Sequence, residues 1–153
     1  MLLLCPDALI GATLNYLKDA GSRRQECVVL WLGKRAGAAI TVHQSYKPIQ
    51  RAQADRFHIA PDGMAALQAK MRADRLMVAA QVHSHPNEAF HSKADDDWAI
   101  VRHEGALSLV VPRFASDTVQ RNFFQQTRIY RFSNRATWDE VLPAEVSECL
   151  RIT

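Results

Sequence analysis

The sequence predicts an α/β chain of one domain, a mixed sandwich with a central sheet and helices packed against it. Three observations carry that expectation. Short apolar runs rich in valine, CVVLWLG (Cys27–Gly33) and ALSLVVP (Ala106–Pro112), have the length and composition of buried strands. Two stretches with apolar residues three and four apart, about Asp7–Ala20 and Pro61–Asp74, stand among them as helices. The 153 residues, 48% apolar and 23% charged, suit a single domain over residues 1–153 with its own core, and they contain no repeat and no linker.

In the first helix Leu9, Ile10, Ala12, Leu14, Tyr16 and Leu17 mark one face, and Gly21-Ser22 ends it. Cys27–Gly33 reads as a buried strand, Gly33–Gly37 as a turn, and Ala39–Tyr46 as a second strand paired with the first in a hairpin. Residues 47–55 are polar and loop-like, and Arg56–Ala60 is a brief strand. Pro61 sits at a helix start, where its missing N–H costs nothing, and Met64, Leu67 and Met71 give that helix its apolar face. LMVAAQVHSHP (Leu76–Pro86) is a further strand, residues 87–91 a loop, and Ser92 opens a third helix running to about His103. Ala106–Pro112 and Thr127–Ser133 complete the strands, and the tail is amphipathic.

Composition excludes several classes of function. The net charge is +3, and the basic residues cluster only as pairs such as Arg23-Arg24 and Lys34-Arg35. Such pairs form no stripe for nucleic acid. No apolar run approaches the roughly 20 residues of a membrane span. The apolar start MLLLC lacks a basic segment and is too short for a secretory signal. Cys5, Cys27 and Cys149 are odd in number, widely spaced and form no CxxC, so free thiols in a reducing, cytoplasmic compartment are expected, with packing roles.

The densest chemistry lies in HSHPNEAFHSKADDD, His83–Asp97. Residues two apart on a strand share a face, so His83 and His85 can aim both imidazoles at one ion. Pro86 then ends the strand because it has no N–H for the ladder. Ser92 and Asp95, three apart at a helix start, share the first turn. Two histidines and a carboxylate leave the fourth position of a tetrahedral zinc ion open, as in catalytic rather than structural sites. Each piece also has a plain structural reading. An HxH pair occurs by chance, Ser92 suits a helix N-cap, and Asp95, Asp96 and Asp97 suit the positive end of a helix dipole. The coincidence of HxHP at a strand end with Ser-x-x-Asp within ten residues is what favours a site. The zincin HExxH and the PCxxC of zinc deaminases are absent.

With an earlier acid, Glu26 in QECVVLWLG, these residues resemble the JAMM motif of MPN+/JAB-domain zinc metalloproteases. Glu26 precedes His83 by 57 positions, and the intervening order of strand, turn, strand, helix and strand also resembles that family. The likeness covers roughly residues 1–135 and is nearest to bacterial minimal JAB domains encoded beside ubiquitin-like conjugation enzymes. Two departures stand out. Residues 87–91 leave five positions between HxHP and the serine, where the family usually has six or seven, which makes Asp96 a reserve for Asp95 as ligand. Val28-Val29 stand where the family often has glycine.

The resemblance implies an MPN/JAB, cytidine-deaminase-like fold and a zinc-dependent isopeptidase or protease. His83, His85 and Asp95 hold the metal; Glu26 is general base then acid; Ser92 donates to the oxyanion. The implied substrate is the C-terminal tail of a ubiquitin-like protein or its conjugate, with cognate activating and conjugating enzymes as further partners, and neither nucleic acid nor membrane. Residues 87–91 and Ala106–Pro112 are expected to border the tail's groove. Two other readings stay open: a peptidase acting on a sulfur-carrier adduct in cysteine synthesis, and a catalytically inactive MPN-type scaffold. Beyond the motif, His91 is expected in solvent on its loop, with a role behind the ligands as the alternative. His43 and His58 read as ordinary strand positions. Trp98 and Phe90 read as core, with a substrate groove as the alternative.

Overall fold

Six successive buried residues, Val28–Gly33, open the strand on which the fold is built. A strand alternates its side chains between faces, so an unbroken buried run requires cover on both. That cover is present. Cys27, Val29 and Trp31 belong to a large apolar cluster with Ile10, Leu14 and Leu17 of the first helix. Val28, Leu30 and Leu32 belong to a second cluster with Leu67, Met64 and Met71 of the next.

The structure, a computed structural model, describes residues 1–52 and 57–153, apart from the side chains of Ala52, Phe57 and Trp98. In chain order the strands and α-helices are β1 (Leu2–Cys5), α1 (Asp7–Ser22), β2 (Val28–Ala36), β3 (Ala39–Tyr46), β4 (Arg51–Ala52), β5 (Phe57–His58), α2 (Pro61–Asp74) and β6 (Met77–Ser84). They continue as α3 (Lys93–Trp98), β7 (Leu107–Val111), α4 (Phe123–Gln126), β8 (Arg128–Phe132), β9 (Trp138–Glu140), α5 (Val146–Cys149) and β10 (Leu150–Ile152). Eight strands form one mixed sheet in the order β10-β1-β3-β2-β6-β7-β8-β9, and β4 and β5 pair separately. The α/β sandwich with a central sheet is therefore present, with α1 on one face and α2 on the other.

The expected α2 has the bounds observed, with Pro61 in its first turn and Arg75 closing it in the left-handed conformation, φ 53°. The expected β3 is also observed as read. The expected turn at Gly33–Gly37 begins later, because β2 continues to Ala36 and Gly37 alone takes the positive φ, +61°. Of the expected strand Arg56–Ala60, Arg56 lies outside the described residues, as do positions 53–55 of the expected loop. At its start, Leu2–Cys5 is a strand wedged between β3 and β10, parallel to both. Of the amphipathic tail, Trp138–Glu140 forms one edge of the sheet and Leu150–Ile152 the other.

The third helix is shorter than its sequence suggests, ending at Trp98 rather than near His103. The Ile100 N–H donates to Gln81 Oε1 at 2.8 Å instead of continuing the helical ladder. The Arg102 guanidinium takes the carbonyls of Asp96 and Asp97 at 2.7 and 2.9 Å, which supplies the partners a helix end needs. The strand Leu107–Val111 is buried throughout and paired on both sides, with β6 and β8. It therefore offers no free edge to which a substrate tail could add as a strand.

Trp31 is the largest buried side chain, and its indole N–H donates to Thr13 Oγ1 at 2.9 Å. The Thr13 hydroxyl hydrogen goes to the Leu9 carbonyl at 2.7 Å, so Ser45, 2.9 Å away, donates to Thr13 in turn. The three cysteines are buried, and burial raises the Cys5 and Cys27 thiols to about 12 and about 11. They are packing residues, protonated at neutral pH. Among the described residues no helix is long and apolar enough to cross a membrane. Trp31→Ala empties the centre of the α1-side core and removes one of the two donors to Thr13 Oγ1; a loss of about 3–5 kcal/mol is expected in urea denaturation.

Candidate metal centre

β6 carries His83 one residue from its end, with Val28 of β2 directly across and Val110 of β7 on the other side. Cross-strand partners share a face, so His83 points to the side of Val28, the α2 side. The pairing continues past the strands: Ser84 N–H donates to the Cys27 carbonyl at 3.1 Å, and Cys27 N–H donates to Ser84 Oγ at 3.1 Å. Extending that register sets Glu26 opposite His85. Both are buried, as is His83.

The segment leaving the strand is held by its backbone. His85 N–H donates to the Val111 carbonyl at 2.9 Å. The His85 and Asn87 carbonyls accept from Phe114 and Arg113 N–H at 2.8 and 2.9 Å. Those two donors open a run of three successive residues, Arg113, Phe114 and Ala115, at φ 51°, 52° and 61°. Such a run is costly for residues with a Cβ, roughly 1–3 kcal/mol each. Gly21 of α1 permits it: a Cβ there would stand 2.5 Å from Phe114 Cβ.

Asp95 comes to the histidines from the first turn of α3. Its Oδ1 lies 3.2 Å from His83 Nε2, and its Oδ2 lies 3.2 Å from His85 Nε2. Oδ2 also accepts from Ser92 N–H at 2.7 Å, while Ser92 Oγ accepts from Asp95 N–H at 3.1 Å. This reciprocal pair is a capping box, so the N-cap reading of Ser92 is correct, and the cap also orients Asp95. Burial alone would raise the Asp95 carboxyl. The His83 imidazole, with hydrogen bonds from His83, His85 and the Ser92 N–H, instead holds it well below the usual carboxylate range.

One donor atom from each of His83, His85 and Asp95 lies within 4.8 Å of the others, and all three residues are buried. Two imidazoles and an ionised carboxylate converging at this spacing fit a divalent transition ion, since such ions take N and O donors at about 2 Å. Asp96 does not join them. Its side chain is 54% exposed and bonds His91 Nδ1 at 2.8 Å, so it is Asp95 that stands against the histidines.

His91 differs most from its sequence reading. Its side chain is 4% exposed rather than solvated. Nε2 lies 3.1 Å from Ser108 Oγ, and the ring packs 5.0 Å from Tyr130 and 5.2 Å from Trp138. Burial, with His83 acting the same way, lowers its pKa from the ordinary imidazole value against the pull of Asp95 and Asp96. The local sequence does not show this burial, because Ser108, Tyr130 and Trp138, which surround the ring, come from β7, β8 and β9. His103 lies away from His83, His85 and Asp95 and meets the Val78 carbonyl at 3.1 Å, near the opposite end of β6. Phe90 is 52% exposed, so it is not core, and stands edge-on to His85 with ring centres 4.7 Å apart. The Trp98 side chain lies outside the described residues.

Residues 17–115 match the family described as prokaryotic homologs of the JAB domain. The chain belongs to this family. The matched span holds Glu26, His83, His85, Ser92 and Asp95. The JAB-family chain is also 30% identical over 158 residues to a Sinorhizobium fredii protein named "Probable metalloprotease y4jG", covering 97% of this chain and 92% of that one. Two solution structures share the fold. One, from Desulfitobacterium hafniense, superposes with a TM-score of 0.70 at 16% identity over 99% of this chain and 93% of that one. The other, from Salinibacter ruber, has a TM-score of 0.60 at 19% identity over 92% and 89%.

Ser92→Ala removes the acceptor for Asp95 N–H and is expected to lower stability by about 1 kcal/mol. Urea denaturation of the metal-free protein measures this, with Asp97→Ala, an exposed position in the same helix outside the capping box, as the comparison.

Proposed function

We propose that this protein is a zinc-dependent peptidase or isopeptidase that cleaves after the C-terminal tail of a ubiquitin-like protein. The observation that carries the reading is the convergence of His83, His85 and Asp95 beside a buried Glu26, two residues before the neighbouring strand β2. Membership of the JAB family and the likeness to a relative named a metalloprotease support it.

His83, His85 and Asp95 would hold the ion. A bound zinc ion supplies Lewis acidity toward water and the scissile carbonyl. Glu26 takes the proton from the attacking water and delivers it to the leaving amine, serving as base and then acid. Ser92 Oγ already accepts from Asp95 N–H, so its own hydrogen is available for the oxyanion that develops on the carbonyl. Burial favours this division of labour, because electrostatic interactions strengthen where water is excluded. The tail approaches along residues 87–91, where the exposed Phe90 gives an apolar surface beside His85. An extended tail of small residues needs no deep pocket, because backbone hydrogen bonds supply much of its affinity.

The wild-type protein should carry one zinc per chain by elemental analysis, and His85→Ala should lose it. Glu26→Gln should keep zinc and fold but abolish turnover. Near wild-type activity in Glu26→Gln removes Glu26 from the mechanism.

The substrate is tested with the cognate ubiquitin-like protein fused through its tail to several unrelated proteins. Comparable cleavage across the fusions is expected, lost on chelation and restored by zinc. Release of a single amino acid from a carrier tail, with every fusion intact, favours the sulfur-carrier reading instead.

A further inference from the structure

The turn that brings Asp95 and Ser92 to the histidines is only six residues long, too short to hold its place on the sheet by helix packing alone. A chain of hydrogen bonds, buried at its centre, secures it, and its polarity can be read from one end. The Ile100 N–H donates to Gln81 Oε1 at 2.8 Å, which fixes the Gln81 amide with its nitrogen toward Ser108. Gln81 Nε2 therefore donates to Ser108 Oγ at 3.1 Å. Gln81 and Ser108 are fully buried, so the Ser108 hydroxyl hydrogen needs an acceptor, and His91 Nε2 lies 3.1 Å away. His91 Nε2 then carries no proton, and Nδ1–H donates to Asp96 Oδ1 at 2.8 Å.

We propose that His91 is a positioning residue for the metal centre, a neutral Nδ1–H imidazole that ties the first turn of α3 to β7 and so sets Asp95 and Ser92 relative to His83 and His85. The inference rests on the metal-dependent reading above. Four features support it. His91 immediately precedes Ser92. Asp96, which it bonds, adjoins Asp95. Ser108, its other partner, stands two residues before Val110, the partner of His83 in the sheet. Tyr130 and Trp138 flank the ring and the His83 ring lies 6.1 Å away, so the imidazole has little freedom to turn. Groups behind a metal's ligands typically change metal affinity or activity 10–100-fold when removed.

The test compares wild type with His91→Ala and Ser108→Ala. In metal-free wild type, long-range ¹H–¹⁵N spectra of the imidazoles at neutral pH should show the His91 proton on Nδ1. Zinc affinity, read by competition with a chromogenic chelator, should fall about 10–100-fold in both variants while circular dichroism shows the metal-free fold intact. A proton on Nε2, or zinc affinity within twofold of wild type in either folded variant, overturns the proposal. If His91→Ala does not fold, Ser108→Ala decides. A wild type that binds no zinc removes the metal-dependent reading. The clamp is then judged on the metal-free protein: loss of hydrogen-exchange protection at the Asp95 amide in Ser108→Ala supports it, and unchanged protection overturns it.

Discussion

Asp95 meets both imidazoles, one through each carboxylate oxygen, and the second oxygen also takes the Ser92 N–H. The carboxylate stays charged in a buried place because several donors are aimed at it, which offsets the desolvation that burial imposes. The requirement propagates outward. His83 must stand on the sheet face toward α3, His85 must clear the strand end, and α3 must begin within reach of both. Each condition is met by a different device: the register of β2 with β6, the proline after His85, and the capping box.

The strain beside the site follows the same logic. Arg113, Phe114 and Ala115 adopt a left-handed turn that residues with a Cβ disfavour, and the turn's N–H groups take the His85 and Asn87 carbonyls. The surroundings maintain it: Gly21 leaves room for Phe114, and the pairing of β6 with β7 fixes where the turn begins. Strain of this kind persists where the surrounding structure over-determines it, and here it lies against the backbone of a proposed ligand.

The two halves of the site differ in how they were legible. HxHP and Ser-x-x-Asp could be read because their function depends on short spacings. Two residues apart on a strand, or three apart in a first turn, is a local geometry that the chain carries with it. The reach of Glu26 to the same place is not local: it depends on β2 and β6 pairing with Val28 against His83, across 57 positions of chain. Only the resemblance to a family linked the two parts before the sheet did.

By itself the sequence determined the α/β class, the α1 and α2 faces, the bounds of β3 and α2, and the residue types at the candidate centre. Periodicity, a proline at a helix start and a serine at a cap act within a few residues. Tertiary structure alone decided what depends on distant partners. The start of the chain became a strand because β3 and β10 flank it, and α3 stopped early because Gln81 takes the Ile100 N–H. Asp95 rather than Asp96 faces the histidines because β6 and the segment after it present them to that position of α3, and the His91 side chain is buried rather than solvated because β7, β8 and β9 supply what it meets. A hydrogen bond or ring contact between segments far apart in the chain leaves no local mark in the residues that make it.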